Sequence, residues 1–205
     1  MNAAEVAALQ KYGAGLLGAA IGHALEVVED VTQDLLARPT PCRGWNLRML
    51  FLHVNDSLDA LYEGFDSGEV TLLPEAPPFD PGTDLVAAFR DRARRLGEVW
   101  SGAGDGLVTV AGCPMRAGMV AGTGAMEVAV HGWDISRACG DDRPIPAGLA
   151  HSLLRLSPML VADDVRHGLF APPVEVPPDA SPGDRLVGRL GRDPRWRAAD
   201  DPVSR

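Results

Sequence analysis

The chain has 205 residues, 46% of them hydrophobic and 23% charged, with a formal net charge of −9. That length suits one domain with a sizeable core, and the acidic balance argues against nucleic acid or an anionic membrane as partner. No apolar run reaches the roughly 18 residues of a membrane span, and the N-terminus lacks a basic region followed by a signal core.

Residues 2–37 read as a first long helix. Val6, Leu9, Leu16, Leu17, Ala20, Ala24, Val27, Val28, Val31 and Leu35 give it a stripe at helical spacing. Gly13, Gly15, Gly18 and Gly22 weaken it by roughly 1 kcal/mol each relative to Ala, or else allow another helix to approach closely. His23 reads as a packed or surface residue. Pro39, Pro41 and Gly44 keep the next stretch irregular. Asn46 is a good N-cap for a second helix reaching about Phe65, with Leu47, Leu50, Phe51, Val54, Leu58 and Leu61 as its buried stripe. His53 lies inside that helix, either as a packed core residue or as a ligand pointing into a bundle.

Residues 66–82 hold Pro74, Pro77, Pro78 and Pro81 and read as a long surface loop. Thr83 or Asp84 then caps a third helix to about Ser101. Its Arg90, Arg92, Arg94 and Arg95 read as a solvated face, with anion binding at a pocket mouth as the other reading. Residues 102–117 are glycine-rich with a β-prone piece at Leu107–Val110. GAGDG at 102–106 lacks the strand–turn–helix context of a phosphate-cradling loop.

A fourth helix runs from near Met119 to Cys139, where Gly140 supplies the stop. A fifth opens at Pro146 and runs towards Phe170, kinked at Pro158. His151 and His167 on it read as structural or surface residues. Residues 171–183 are proline-rich and extended, a strap along the bundle. Asp184–Leu190 makes a last short helix, and the end from Ala198 reads as disordered. The expected division is a helical bundle over 1–170 and a proline-rich extension over 171–205. Cys42, Cys113 and Cys139 are odd in number and far apart, which fits reduced thiols in a cytoplasm.

The chemistry concentrates in the fourth helix, in GAMEVAVHGWDISRACG from Gly124 to Gly140. Glu127 and His131 are four apart, so they share one helix face with Cβ atoms roughly 5–6 Å apart. His53 on a facing helix would complete a set of two histidines and one carboxylate. Three protein ligands leave coordination positions open, the mark of a catalytic rather than a closed structural site. Spacing alone does not separate this from packed core histidines. Asp134 follows His131 by three and Asp56 follows His53 by three. Each could fix a ligand imidazole's tautomer, or be a solvent-facing or capping carboxylate. Trp45 and Trp133 read as core packing. Cys42 reads as a buried, inert thiol, since no cationic or basic partner for it is identifiable.

PTPCRGW followed by His53, and E-x-x-x-HGWD at 127–134, resemble the metal-binding domain of mycothiol-dependent maleylpyruvate isomerases, within the DinB-like four-helix superfamily. LGRDPRW, Leu190 to Trp196, resembles the end of a functionally unassigned subgroup. The resemblance implies a mainly all-α fold, an up-down four-helix bundle with an extra C-terminal helix and an extended tail. It implies a divalent metal on His53, Glu127 and His131. Zinc suits that set best, and nickel, iron or manganese would also accept it. It further implies mycothiol as cosubstrate, its thiolate adding to an electrophilic carbon. The bond then rotates and the thiol departs, or the conjugate is the product. Asn46 stands where the family usually has Asp. The isomerases' separate C-terminal domain is missing or reduced to 171–205, so the resemblance does not carry maleylpyruvate over as substrate. The expected partners are a small thiol and an electrophile, and a homodimer stays open. The alternative reading is a non-catalytic metal-binding bundle that binds a small ligand or a protein.

Overall fold

The computed structural model describes residues 3–70, 82–100, 106–161 and 170–198. Most of the expected 66–82 loop, most of the GAGDG stretch, residues 162–169 over which the fifth helix was expected to continue (His167 among them), and the tail beyond 198 lie outside the described residues.

Helix α1 spans Ala3–Val28, and a single 3-10 turn, Gln33–Ala37, follows it. The first helix is therefore shorter than its stripe suggested. Arg90 donates to the carbonyls of Val28 and Glu29 at 2.6 and 2.8 Å, capping the end that would otherwise continue. Helix α2, Leu47–Asp66, starts as expected: the Asn46 side chain accepts from the Met49 backbone N–H. Strand β1, Glu69–Val70, precedes α3, Leu85–Trp100, which Asp84 caps by accepting from Val86 and Ala87. Strands β2, Leu107–Val110, and β3, Cys113–Arg116, lead into α4, Ala117–Cys139, which ends at Gly140 with φ 83°.

Side-chain registers give the direction of each helix. Asp59 meets Arg92 and Phe65 meets Trp100, so α2 and α3 run parallel. Ser57 meets Glu127 and His53 meets His131, so α2 and α4 run antiparallel. On α1, Gly13 lies against Gly118 and Ala24 against Gly132, so α1 and α4 run parallel. The order is up, down, down, up. The parallel neighbours α2 and α3 are not joined by a short turn, and the sequence between them includes the proline-rich 66–82 segment. This is the DinB-like four-helix arrangement, mainly helical as expected.

Gly13 is the one glycine of α1 with a packing reason. A Cβ there would lie 2.4 Å from the Gly118 carbonyl oxygen, whereas Gly15, Gly18 and Gly22 face open space. Phe51 and Phe89 stack edge-to-face at 5.9 Å in the core between α2 and α3. Three of the four arginines of α3 tie it to neighbouring helices, and Arg94 pairs within α3 itself. Arg90 caps α1, Arg92 pairs with Asp59, Arg94 with Asp91, and Arg95 lies 4.5 Å over the Tyr62 ring.

A small sheet of order β1-β2-β3 closes the end of the bundle where α2 and α3 finish. Its hairpin turns on Ala111 and Gly112, both at positive φ (49° and 78°), the two-residue geometry that suits strand twist. Only β2 was expected. Strand β1 is two residues long, and β3 carries Pro114, which removes a ladder donor.

Helix α5 covers Ala147–Leu160. Pro158 deprives the Leu154 carbonyl of its helical partner, and the Ser157 hydroxyl donates to it at 2.9 Å instead. Helix α6, Pro182–Arg189, is capped by the Ser181 hydroxyl, which accepts from the Asp184 N–H. The extended strap lies along α6, with the Val174 N–H donating to the Gly188 carbonyl at 2.8 Å. The turn after α6 reaches back towards α4.

Candidate metal centre

Helical periodicity puts His53 and Ser57 on one face of α2, and His131 and Glu127 on the facing stripe of α4. The antiparallel register brings them together. His53 Nε2 lies 2.6 Å from Glu127 Oε1, and His131 Nε2 lies 3.3 Å from the same oxygen. The imidazoles meet edge-to-face at 5.0 Å. Ser57 donates its hydroxyl to Glu127 Oε1 at 3.1 Å. Trp45 packs its edge on His53 at 5.1 Å. His131 is 7% exposed, while the side chains of His53 and Glu127 are 39% and 29% exposed. The cluster thus has a buried rear and an open front.

The rear is built by Asp134, Cys42 and Arg192. His131 Nδ1 lies 2.9 Å from Asp134 Oδ2, so the second imidazole nitrogen has a carboxylate partner. Cys42 Sγ donates to that oxygen at 3.1 Å. Arg192, from the turn after α6, donates to it at 3.0 Å and lies 3.5 Å from Cys42 Sγ. The sequence offered no cation for Cys42, and the structure supplies one. Arg192 and Ser57 are the two site residues that sequence reasoning missed. Arg192 lies inside the LGRDPRW motif, so the motif was visible while its target was not. Asp56 makes no hydrogen bond to His53 among the described residues. Trp133 is core, 2% exposed, and His23 is packed at 4%. His151 is exposed.

The electrostatics follow from burial and pairing. Burial works to raise the Glu127 pKa, but the charge of His131 and the bonds from both histidines hold it well below the usual carboxylate range. Burial works to lower His131, yet Glu127 and the bonds to Asp134 and Cys42 lift it well above the usual histidine range. Asp134 is buried, but Arg192 and His131 bring it down to about 2. The Cys42 thiol is pushed up by burial and by Asp134, with His131 and Arg192 offsetting only part. Asp56 is pushed up by burial and by Asp59.

These shifts predict a pH profile for the metal-free protein. Raised in the fold, His131 contributes stability that is complete below its unfolded pKa of about 6.5 and is lost as pH rises through the folded value. Depressed in the fold, Asp134 contributes stability that is complete above about 3.9 and is lost as pH falls through about 2. In chelator, the melting temperature should fall as pH rises above neutral. A flat alkaline limb would exclude a buried imidazolium between Glu127 and Asp134.

The donor set fits a divalent cation. Two imidazole nitrogens and one carboxylate oxygen lie within 4.8 Å of one another, and His131 has an outer carboxylate to fix its tautomer. Cys42, His131 and Asp134 also lie close enough to bind a cation. Arg192 already places a fixed positive charge on both Asp134 and Cys42, so that rear cluster is not a second metal site.

A family profile described as mycothiol maleylpyruvate isomerase N-terminal domain matches residues 17–136. Its span includes His53, Glu127, His131 and Asp134 and stops well short of Arg192. Two curated relatives, both uncharacterised proteins of Mycobacterium tuberculosis, are each 29% identical over 171 residues, covering 81% of this chain and 90% of the relative. No solved structure matches significantly. With more than half its length inside that match and both motifs within it, the chain belongs to the mycothiol maleylpyruvate isomerase N-terminal domain family.

Proposed function

We propose that this protein is a divalent-metal-dependent thiol transferase or isomerase, acting with mycothiol or a similar thiol on a small electrophile. The observation that carries the reading is the convergence of both histidine Nε2 atoms on Glu127 Oε1, behind a part-exposed front. The family's association with mycothiol and with metal supports it. His53, Glu127 and His131 would hold the cation, with zinc the best match to the donors and nickel, iron or manganese acceptable. A cation so held supplies Lewis acidity, which lowers a thiol's pKa towards neutrality.

The chain's own residues do the rest. With a cation bound, Asp134 would accept the His131 Nδ1–H and leave Nε2 as the nitrogen facing the front of the site. Ser57 fixes the Glu127 carboxylate. Cys42, with its raised pKa, stays a thiol and donates to Asp134, so the nucleophile comes from outside the chain. Glu127 is used as a ligand, and Asp134, at about 2, is a poor proton acceptor near neutral pH. With neither carboxylate fit to activate water, the site favours thiolate chemistry over hydrolysis. The three free cysteines fit a reducing cytoplasm.

The test is titration calorimetry of mycothiol into metal-loaded and metal-free protein, in two buffers of different ionisation enthalpy. Binding is expected to the loaded form alone. It should release about one proton per site near neutral pH, because a thiol with a free pKa of about 8.5 must ionise to ligate. Equal affinity for both forms, or no proton release, would leave a non-catalytic binding bundle as the better reading.

A further inference from the structure

We propose that an apolar cavity adjoining the donor cluster is the subsite for an uncharged hydrophobic arm of the substrate, so the electrophile carries a ring or a short branched chain rather than a second carboxylate. The inference rests on the metal-centred reading above and adds the substrate class. The cavity, of about 180 Å³, opens between α2, α4 and the small sheet. Ala60 and Leu61 line it from α2, Val120 and Thr123 from α4, and Val70 and Met115 from the sheet side. Among the described residues no charged side chain lines it. The one hydroxyl among these lining residues, on Thr123, is turned back onto its own helix, where it donates to the Met119 carbonyl at 3.1 Å.

Its place is fixed by two crossings of α2 over α4. Ser57 meets Glu127 at the donor cluster. Leu61 packs on Gly124, where a Cβ would lie 2.7 Å from Leu61 Cδ1. The two crossings are about one helical turn apart, roughly 5.4 Å. Ala60 and Thr123 continue the faces of Ser57 and Glu127, so donors and cavity form one stripe between the same two helices. A molecule anchored at the cluster can reach the cavity with a one-ring arm.

Size and polarity then choose the arm. A cavity of about 150 Å³ lined by aliphatic and aromatic side chains stays dry and takes benzene. A carboxylate placed here would lose its water and gain no partner. The Arg192 guanidinium sits behind His131 and is already held by Asp134.

Three hydroxamates test this, since a hydroxamate chelates a divalent cation whatever its arm: benzohydroxamate, acetohydroxamate and the mono-hydroxamate of succinic acid. Affinity for cobalt-loaded protein is read from the visible spectrum, and toluene binding from ligand-detected NMR. Benzohydroxamate should bind at least tenfold tighter than acetohydroxamate, with no gain for the carboxylate arm. Toluene should bind saturably with or without metal. Ala60→Phe, at a half-buried wall position, should remove both the phenyl preference and toluene binding, and leave acetohydroxamate affinity unchanged. Thr123→Phe, at the exposed rim, should act likewise if the first variant folds poorly.

Equal affinity for all three arms would overturn the subsite, as would a phenyl preference that survives both variants. Failure of every hydroxamate to bind the loaded protein would remove the open front and the subsite with it. A dimer that Ala60→Phe dissolves, without saturable toluene binding, would make the face a contact between copies and also overturn it. If mycothiol fails to bind while the phenyl preference holds, the thiol reading falls and the subsite stands.

Discussion

Asp134→Ala should lower the melting temperature by roughly 6–20 °C and weaken metal binding about 10–100-fold. The first figure comes from breaking a buried ion pair on one side, which costs about 3–5 kcal/mol, with roughly 2–4 °C lost per kcal/mol in a chain of this size. Asp134 is fully buried, and the Arg192 side chain is only 12% exposed. Removing the carboxylate strands a guanidinium in a place it cannot leave without undocking the turn after α6. It also takes the partner from His131 Nδ1 and an acceptor from Cys42. The second figure is the usual cost of losing an outer-shell partner of a ligating histidine. The double variant Asp134→Asn with Arg192→Met should recover most of the stability, because replacing both charges removes the stranded one. It should not recover the metal affinity, since the carboxylate behind His131 stays absent. Scanning calorimetry and a competition assay with a metal indicator read the two effects separately. An unchanged melting temperature in the single variant would mean that the pair is not a buried link between the C-terminal turn and α4.

The fold was largely legible because most of its signals are local. The α2 stripe, the Asn46 cap and the Gly140 stop each depend on a few neighbouring residues, and each is where the sequence put it. The end of α1 depends on Arg90, more than sixty residues away along the chain, and so the stripe ran on past it. Strand β1 is defined by its pairing with β2 and not by its own two residues. The front of the site shows the same division. Glu127 and His131 share a helix face by their spacing of four and His53 lies on a facing stripe, but it is the resemblance of the two motifs, not the spacing, that singles the three out as candidate ligands. The rear does not declare itself. Arg192 is 58 residues from Asp134, in a turn whose docking depends on α6 lying against α5. A reader of the sequence sees an arginine in a motif but no reason to aim it at an aspartate in another helix.

His131→Ala should cut metal affinity beyond the roughly 100-fold ceiling of an outer-shell change, while the chain stays folded. Among the described residues, His131 links the front of the cluster to its rear. Nε2 faces Glu127 and Nδ1 faces Asp134. Without it only His53 and Glu127 remain as donors, and two are too few to hold a cation against exchange. The fold should survive because each carboxylate keeps other partners. Glu127 retains His53 and the Ser57 hydroxyl, and Asp134 retains Arg192 and the Cys42 thiol. Low pH should mimic the variant in the unaltered protein, since an imidazolium cannot ligate and the raised pKa of His131 keeps its proton on. Metal content after dialysis, measured beside circular dichroism for both proteins across a pH series, checks this. Stoichiometric metal in folded His131→Ala protein would take His131 out of the ligand set. It would leave the imidazole as a buried strut between two carboxylates.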